Sequence, residues 1–214
     1  MGSARSDGTD GAGGVSDAAD AQMLAAHKIL IAGGFGAGKT TLVSAISEVR
    51  PLLTEERLSS AGVGLDDLRG VTGKTTTTVA MDFGRITISE RLVLYLFGVP
   101  GQERFWFMWD ELAYGALGAV VLADTRRLAD CFACVDYFEQ HETPFVVAVN
   151  CFDDAPDYDP DDVRIALDLD PGEPVVLCDG RDKESVKNVL ITLVGHVLTR
   201  ANPAAEYQSA PLPI

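Results

Sequence analysis

The stretch GGFGAGKTT places Gly33, Gly36 and Gly38 directly ahead of Lys39, Thr40 and Thr41. Glycines let successive backbone N–H groups turn inward around an anion. A lysine at the spacing Gly33-x-x-x-x-Gly38-Lys39 reaches the β and γ phosphates of a nucleotide, and the hydroxyl of Thr40 binds Mg²⁺. An apolar run, HKILIAG (27–33), precedes the glycines, and a helical pattern reaching Val49 follows. The bound anion would therefore also meet the positive end of a helix. A glycine-rich turn without a ligand is the plain alternative, and the strand–loop–helix context speaks against it.

This loop does not choose between GTP and ATP. The choice comes from VAVNCFDD, where Asn150-x-x-Asp153 follows a second apolar run. A carboxylate there accepts from both the ring N–H and the exocyclic NH₂ of guanine, a pair that adenine lacks. Asn and Asp are also common in plain loops. A third stretch, LYLFGVPGQERF (94–105), carries Gly101 and Gln102. The Gln102 amide is placed to orient a water for attack on a phosphoryl group, or is simply a polar residue at a helix start.

These residues need a scaffold. HKILIAG, TTVAMDFGRITIS, ERLVLYLFG, GAVVLAD (118–124), TPFVVAVN (143–150) and EPVVLCD (173–179) read as strands, the second and third joined by a tight turn near 89–91. Continuous apolar runs suit strands buried on both faces. Helical patterns lie at 102–114, 126–139, 160–167 and 182–200. The alternation predicts an α/β fold.

The chain has 214 residues, enough for one sizeable domain. Residues 1–24 read as a disordered acidic Gly/Ser/Ala tail, 25–200 as the folded domain, and 201–214 as a flexible tail. No apolar run approaches the ~20 residues of a membrane span, so a cytoplasmic protein without direct membrane insertion is expected. The net charge of −15 disfavours a nucleic-acid partner. Cys131 and Cys134 form a C-x-x-C, but Leu128, Cys131, Cys134, Val135 and Phe138 make one helical stripe, so these cysteines read as small core residues.

On these residues the chain resembles a Ras-like small GTPase over roughly residues 27–200. GQERF and GALGAVVLAD resemble the Rab branch. TVAMDFG resembles the family's Thr-x-x-x-Asp-Phe segment, which implies Thr78 as the switch I threonine that meets Mg²⁺, with Thr77 as the other register. CDGR, Cys178 to Arg181, resembles a divergent Ser-Ala-Lys guanine loop, which implies Asp179, Gly180 and Arg181 beside the base. The glycine loop, AMDFG, LFGVPGQ, DTRR and NCFD most resemble bacterial small GTPases, in particular the actinomycete conservon GTPases. The resemblance implies a three-layer P-loop NTPase fold with a mostly parallel six-stranded sheet and helices on both faces. It implies GTP/GDP and Mg²⁺ as ligands, and mobile switches at about 54–78 and 98–114. It also implies a roadblock-family small protein and a sensor-kinase-like protein as partners.

Two positions depart from that family. Gly98 stands where it has an Mg²⁺-associated Asp, and Cys151 where it has a Lys whose stem lies along the nucleotide. Mg²⁺ is then expected to be held more weakly, and Gly98→Asp to raise its affinity. In RFWFMWDEL, Phe105, Met108, Trp109 and Leu112 form a core stripe, which leaves Trp106 and Phe107 for either the body or a partner.

The expectation is a GTP-binding switch with slow hydrolysis, in which Lys39, Thr78 and Gln102 do the chemistry. Its rivals are a nucleotide-binding scaffold with negligible turnover and an ATP-using P-loop enzyme such as a small kinase.

Overall fold

Runs of Val, Leu, Ile and Ala without charge lose least by lying between two helical layers. Such runs form the centre of the sheet in the computed structural model, which describes residues 25–50, 52–58, 77–101, 103–156 and 158–202. The strands are β1 (Ala25–Gly33), β2 (Leu52–Leu58), β3 (Thr77–Ser89), β4 (Leu92–Gly98), β5 (Ala116–Ala123), β6 (Phe145–Asn150) and β7 (Val175–Cys178). The helices are α1 (Lys39–Ile46), α2 (Trp109–Ala113), α3 (Phe132–Gln140), α4 (Pro160–Ala166) and α5 (Lys183–Ala201), with 3-10 turns at Glu103–Met108 and Thr125–Cys131. All six residues of β6 are buried.

The sheet order is β2-β3-β4-β1-β5-β6-β7. β4, β1, β5, β6 and β7 run parallel, while β2 and β3 pair antiparallel at one edge. The six expected strands are all present, and β2 adds a seventh at the edge. On one face, α1 and α5 cover Ile29, Ile31, Leu94, Leu96, Val120 and Leu122. On the other, Trp109 of α2, Val135 and Phe138 of α3 and Val163 of α4 cover Leu30, Ala32, Val121 and Val147.

β1 is flanked by β4 on one side and β5 on the other, so connections leave it toward both faces. That is the switch point of an open α/β sheet, where the crevice for a ligand lies at the carboxyl ends of the strands. The glycine loop follows β1 at this point.

Helix α1 ends at Ile46, three residues short of the expected Val49. Ser47 leaves the helix with ψ 133°. Its hydroxyl donates to Val49 O at 2.7 Å and accepts from the Arg85 N–H at 3.2 Å, which ties the helix end to β3. The expected switch segment 54–78 begins and ends in paired strand, with Thr54 opposite Met81 and Thr78 opposite Arg57. Residues 59–76 and Gln102 lie outside the described residues, as do 1–24 and 203–214. Among the described residues no helix is long and apolar enough to cross a membrane.

Candidate functional site

The glycine loop has the backbone that its composition predicts. Gly33, Gly36 and Gly38 have φ of 137°, 75° and 105°, a region that side chains disfavour. Gly38 also has no room: a Cβ there would lie 2.5 Å from Asn150 Nδ2. The loop is braced from above, where the Arg127 guanidinium donates to Phe35 O and Asp130 packs against Gly34.

Lys39 opens α1 and folds back over the loop. Its ammonium donates to Gly33 O at 2.9 Å and Gly34 O at 2.8 Å. Burial holds it below the usual lysine range, opposed by the nearby carboxylate of Asp82. Gly101 packs on the same carbonyls, where a Cβ would meet Gly33 O at 2.4 Å and Lys39 Nζ at 3.1 Å. Thr41 is exposed on α1 beside Thr40.

Thr40 has a partner that the sequence did not suggest. Its hydroxyl donates to Asp82 Oδ2 of β3 at 2.7 Å, and Asp82 is only 8% exposed. Reading the sequence used Asp82 solely to set the register of Thr78; a carboxylate set between the apolar residues of VAMDF was the available signal. The donors here suit Mg²⁺, since Thr40 and Asp82 offer hard oxygens in contact at a helix start beside the phosphate loop. Among the described residues no cluster of three or more His, Cys, Asp or Glu stands ready to hold a metal. Phosphate oxygens would have to complete the shell.

Asn150, from the end of β6, is 6% exposed and works at both ends of its amide. Nδ2 donates to Ala37 O at 2.9 Å, and Oδ1 accepts from the Gly180 N–H at 3.0 Å. It thereby ties the glycine loop to the β7–α5 loop, a role sequence reading did not assign. Asp153 lies on the surface and accepts from both terminal nitrogens of Arg181 at 3.0 Å each. Arg181 also spans to Asp179, donating to it from Nε and Nη2 at 2.9 Å. The Arg181 hydrogen bonds hold the Asp153 and Asp179 carboxyls below their usual range, so both are ionised at neutral pH.

The DTRR segment braces the loop that follows β6. Asp124, 3% exposed, accepts from Arg126 Nε and Nη2 at 2.9 Å and from its backbone N–H at 3.1 Å. That clamp lays the Arg126 guanidinium 3.8 Å above the Phe152 ring, inside the segment that carries Asp153. Cys131 and Cys134 lie in the core beneath the loop. Burial pushes Cys131 up to about 12 and Cys134 up to about 11, so both remain neutral thiols, which are poor ligands and nucleophiles. Phe105, Met108 and Trp109 are buried as the stripe predicts, whereas Trp106 is 40% and Phe107 59% exposed.

The structure thus brings together Gly33, Gly36, Gly38, Lys39, Thr40 and Gly101 at one end of a cleft. Asp153, Asp179, Gly180 and Arg181 gather at the other, with Asn150 between. Gln102 lies outside the described residues, and so does the side chain of Thr78. By its backbone, Thr78 sits four residues up β3 from Asp82, about 13 Å along an extended strand. While β2 and β3 stay paired, it is carried away from Thr40.

The fold is similar to that of small GTPases. It matches the G domain of the T. maritima FeoB iron transporter with TM-score 0.57 and 19% identity, covering 80% of this chain and 99% of that one. It matches the Arl6 BBS3 small GTPase from Trypanosoma brucei, solved with the nucleotide analogue GppNp, with TM-score 0.58 and 16% identity, covering 81% and 98%. At these identities the likeness concerns the fold. The uncharacterized protein MJ1339 of Methanocaldococcus jannaschii is 25% identical over 125 residues, 58% of this chain and 68% of that protein. Residues 31–200 match the family described as "Conserved hypothetical ATP binding protein". The chain, a P-loop nucleotide-binding protein with a Ras-like fold, belongs to that family.

Proposed function

We propose that this protein is a GTP-binding switch that hydrolyses GTP slowly. One observation supports guanine most directly: the Asp153 carboxylate already accepts two parallel N–H groups, from the guanidinium of Arg181. The N1–H and exocyclic NH₂ of guanine offer a fork of the same kind, and adenine does not. The Arg181–Asp153 pair is exposed on both sides, and such pairs contribute little, so a base displaces it at small cost.

The roles of the chain's own residues follow from their positions. Lys39 leaves the carbonyls of Gly33 and Gly34 for the β and γ oxygens of GTP. The N–H groups of the glycine loop and the start of α1 complete the cradle. Mg²⁺, when bound, neutralises charge on the β and γ phosphates, and Thr40 is placed to hold it. Thr78 reaches that point only if the β2–β3 pairing opens, so the nucleotide would govern the order of the 54–78 segment. Gln102 orients the attacking water. The rate without a partner is expected at about 10⁻⁴ to 10⁻² s⁻¹.

The family's description favours a second reading, an ATP-binding protein. Competition decides between them. Labelled GTP should be displaced from the purified chain by GDP and not by equal ATP, and Asp153→Asn should shift preference toward xanthine nucleotides. Equal displacement by ATP would overturn the guanine reading. Gln102→Leu should slow single-turnover hydrolysis about tenfold or more with little change in binding. A negligible rate in the unmutated chain would favour a non-hydrolysing scaffold.

The resemblance to conservon GTPases supports a wider proposal, bacterial signalling from the cytoplasm with membrane recruitment through partners. Those partners would be a roadblock-family small protein and a sensor-kinase-like protein. The exposed Trp106 and Phe107 are suitable anchors for such a contact. Pull-down of each partner with GTP-loaded and GDP-loaded protein tests this, and equal capture in both states would count against a switch.

A further inference from the structure

Gly98 and Asp82 occupy one space. β3 and β4 are antiparallel, with Phe83 opposite Phe97, so Asp82 and Gly98 lie side by side one residue further on. A Cβ at Gly98 would lie 2.9 Å from Asp82 Cβ and 3.0 Å from its Oδ2. Those contacts include a backbone-anchored atom that cannot swing aside. The two strands therefore have room for an acid at one of these positions and not at both.

The pleat decides where the Asp82 carboxylate goes. Asp82, Gly84 and Ile86 alternate onto the face covered by α1. A Cβ at Gly84 would touch Val43 and Ser47 of that helix, and Ile86 joins its core. Asp82 lies two residues nearer the helix start, and there it meets Thr40 at 2.7 Å. A hydroxyl has one donor and two acceptor lone pairs. With its hydrogen committed to Asp82, Thr40 keeps its lone pairs for a cation. A carboxylate that is 8% exposed also needs positive charge nearby to offset its lost hydration; the Lys39 ammonium supplies part of it in the free protein, and a cation beside Thr40 would supply more.

We propose that Asp82 is the carboxylate that serves Mg²⁺ in this site, standing on β3 in place of an acid on β4. It aims the Thr40 oxygen and brings a full negative charge beside it. Gly98 is then the space that this carboxylate requires, and no metal support has been lost. This inference rests on the reading of the cleft as an Mg²⁺–nucleotide site. It replaces the expectation of a weakened metal site.

The test is release of a fluorescent GDP analogue from the full chain, measured against free Mg²⁺. Asp82→Asn keeps a carbonyl for the Thr40 hydroxyl and nearly the same volume, and removes the charge. The Mg²⁺ concentration that half-suppresses release should rise about tenfold to a hundredfold, the usual cost of removing a supporting carboxylate. Thermal stability of the nucleotide-free protein should hardly change. An unchanged Mg²⁺ midpoint would show that Asp82 merely ties α1 to β3, and would overturn the proposal. Release from the unmutated chain that ignores Mg²⁺ altogether would overturn the nucleotide–metal reading as well, and is told apart by needing no variant. Should Asp82→Asn fail to fold, an exchange carries the test. Asp82→Gly alone should need far more Mg²⁺, and Asp82→Gly with Gly98→Asp should return toward the wild-type midpoint. An exchange that binds Mg²⁺ no better than Asp82→Gly alone would refute the assignment.

Discussion

Lys39→Ala is expected to remove triphosphate binding and leave the fold standing. The ammonium sits inside a loop of inward-turned glycines, where a bound nucleotide brings several negative oxygens together. Truncating one partner of a hydrogen-bonded, desolvated charge pair costs about 2–5 kcal/mol, roughly thirtyfold to several thousandfold in affinity. The fold depends on Lys39 far less, because in the free protein its ammonium makes two bonds to the carbonyls of Gly33 and Gly34. Their loss costs about 1 kcal/mol each, partly returned by water. Calorimetric titration with GTP, paired with thermal unfolding, separates the two effects. A folded variant that binds GTP as before would remove the glycine loop from the site.

Gly98→Asp is expected to damage the protein and to leave Mg²⁺ affinity no higher, the opposite of what the sequence suggests. The backbone at Gly98 is not the obstacle, since its φ lies outside the left-handed region. Asp82 is. A new Cβ arrives 2.9 Å from Asp82 Cβ, and overpacking of this kind costs about 1–3 kcal/mol. Two carboxylates forced together add repulsion. Each kcal/mol lost should lower Tm by about 2–4 °C in a domain of this size. A variant that melts at the wild-type temperature and holds Mg²⁺ more tightly would mean that the strands separate easily and that the Asp82–Gly98 contact is incidental.

Features whose cause is local were legible in the sequence. The glycine loop is one, because positive φ at Gly33, Gly36 and Gly38 is written in the residues themselves. The core strands are another, because an uncharged run such as FVVAVN has no stable place except between two layers. β2 was not legible. LLTEERL mixes apolar and charged residues as exposed edge strands often do, and nothing within it announces a partner. The pairings of Asp82 with Thr40 and of Arg181 with Asp153 were not legible for a different reason. Asp82 meets Thr40 across 42 positions, and Arg181 meets Asp153 across 28. Such pairings depend on strand register and on which loops become neighbours, and no periodicity reports either.

The Asn150 amide joins residues that are 113 positions apart at one end and 30 at the other. Contacts so distant along the chain form only after much loop-closure entropy has been lost. The cleft should accordingly take shape late in folding, once β1, β6 and β7 have all docked. A ribosome releasing the first half of this chain would present the glycine loop without its far anchor. Nucleotide could then report completion: a ligand that needs both ends stabilises the whole domain against unfolding and does little for any fragment of it.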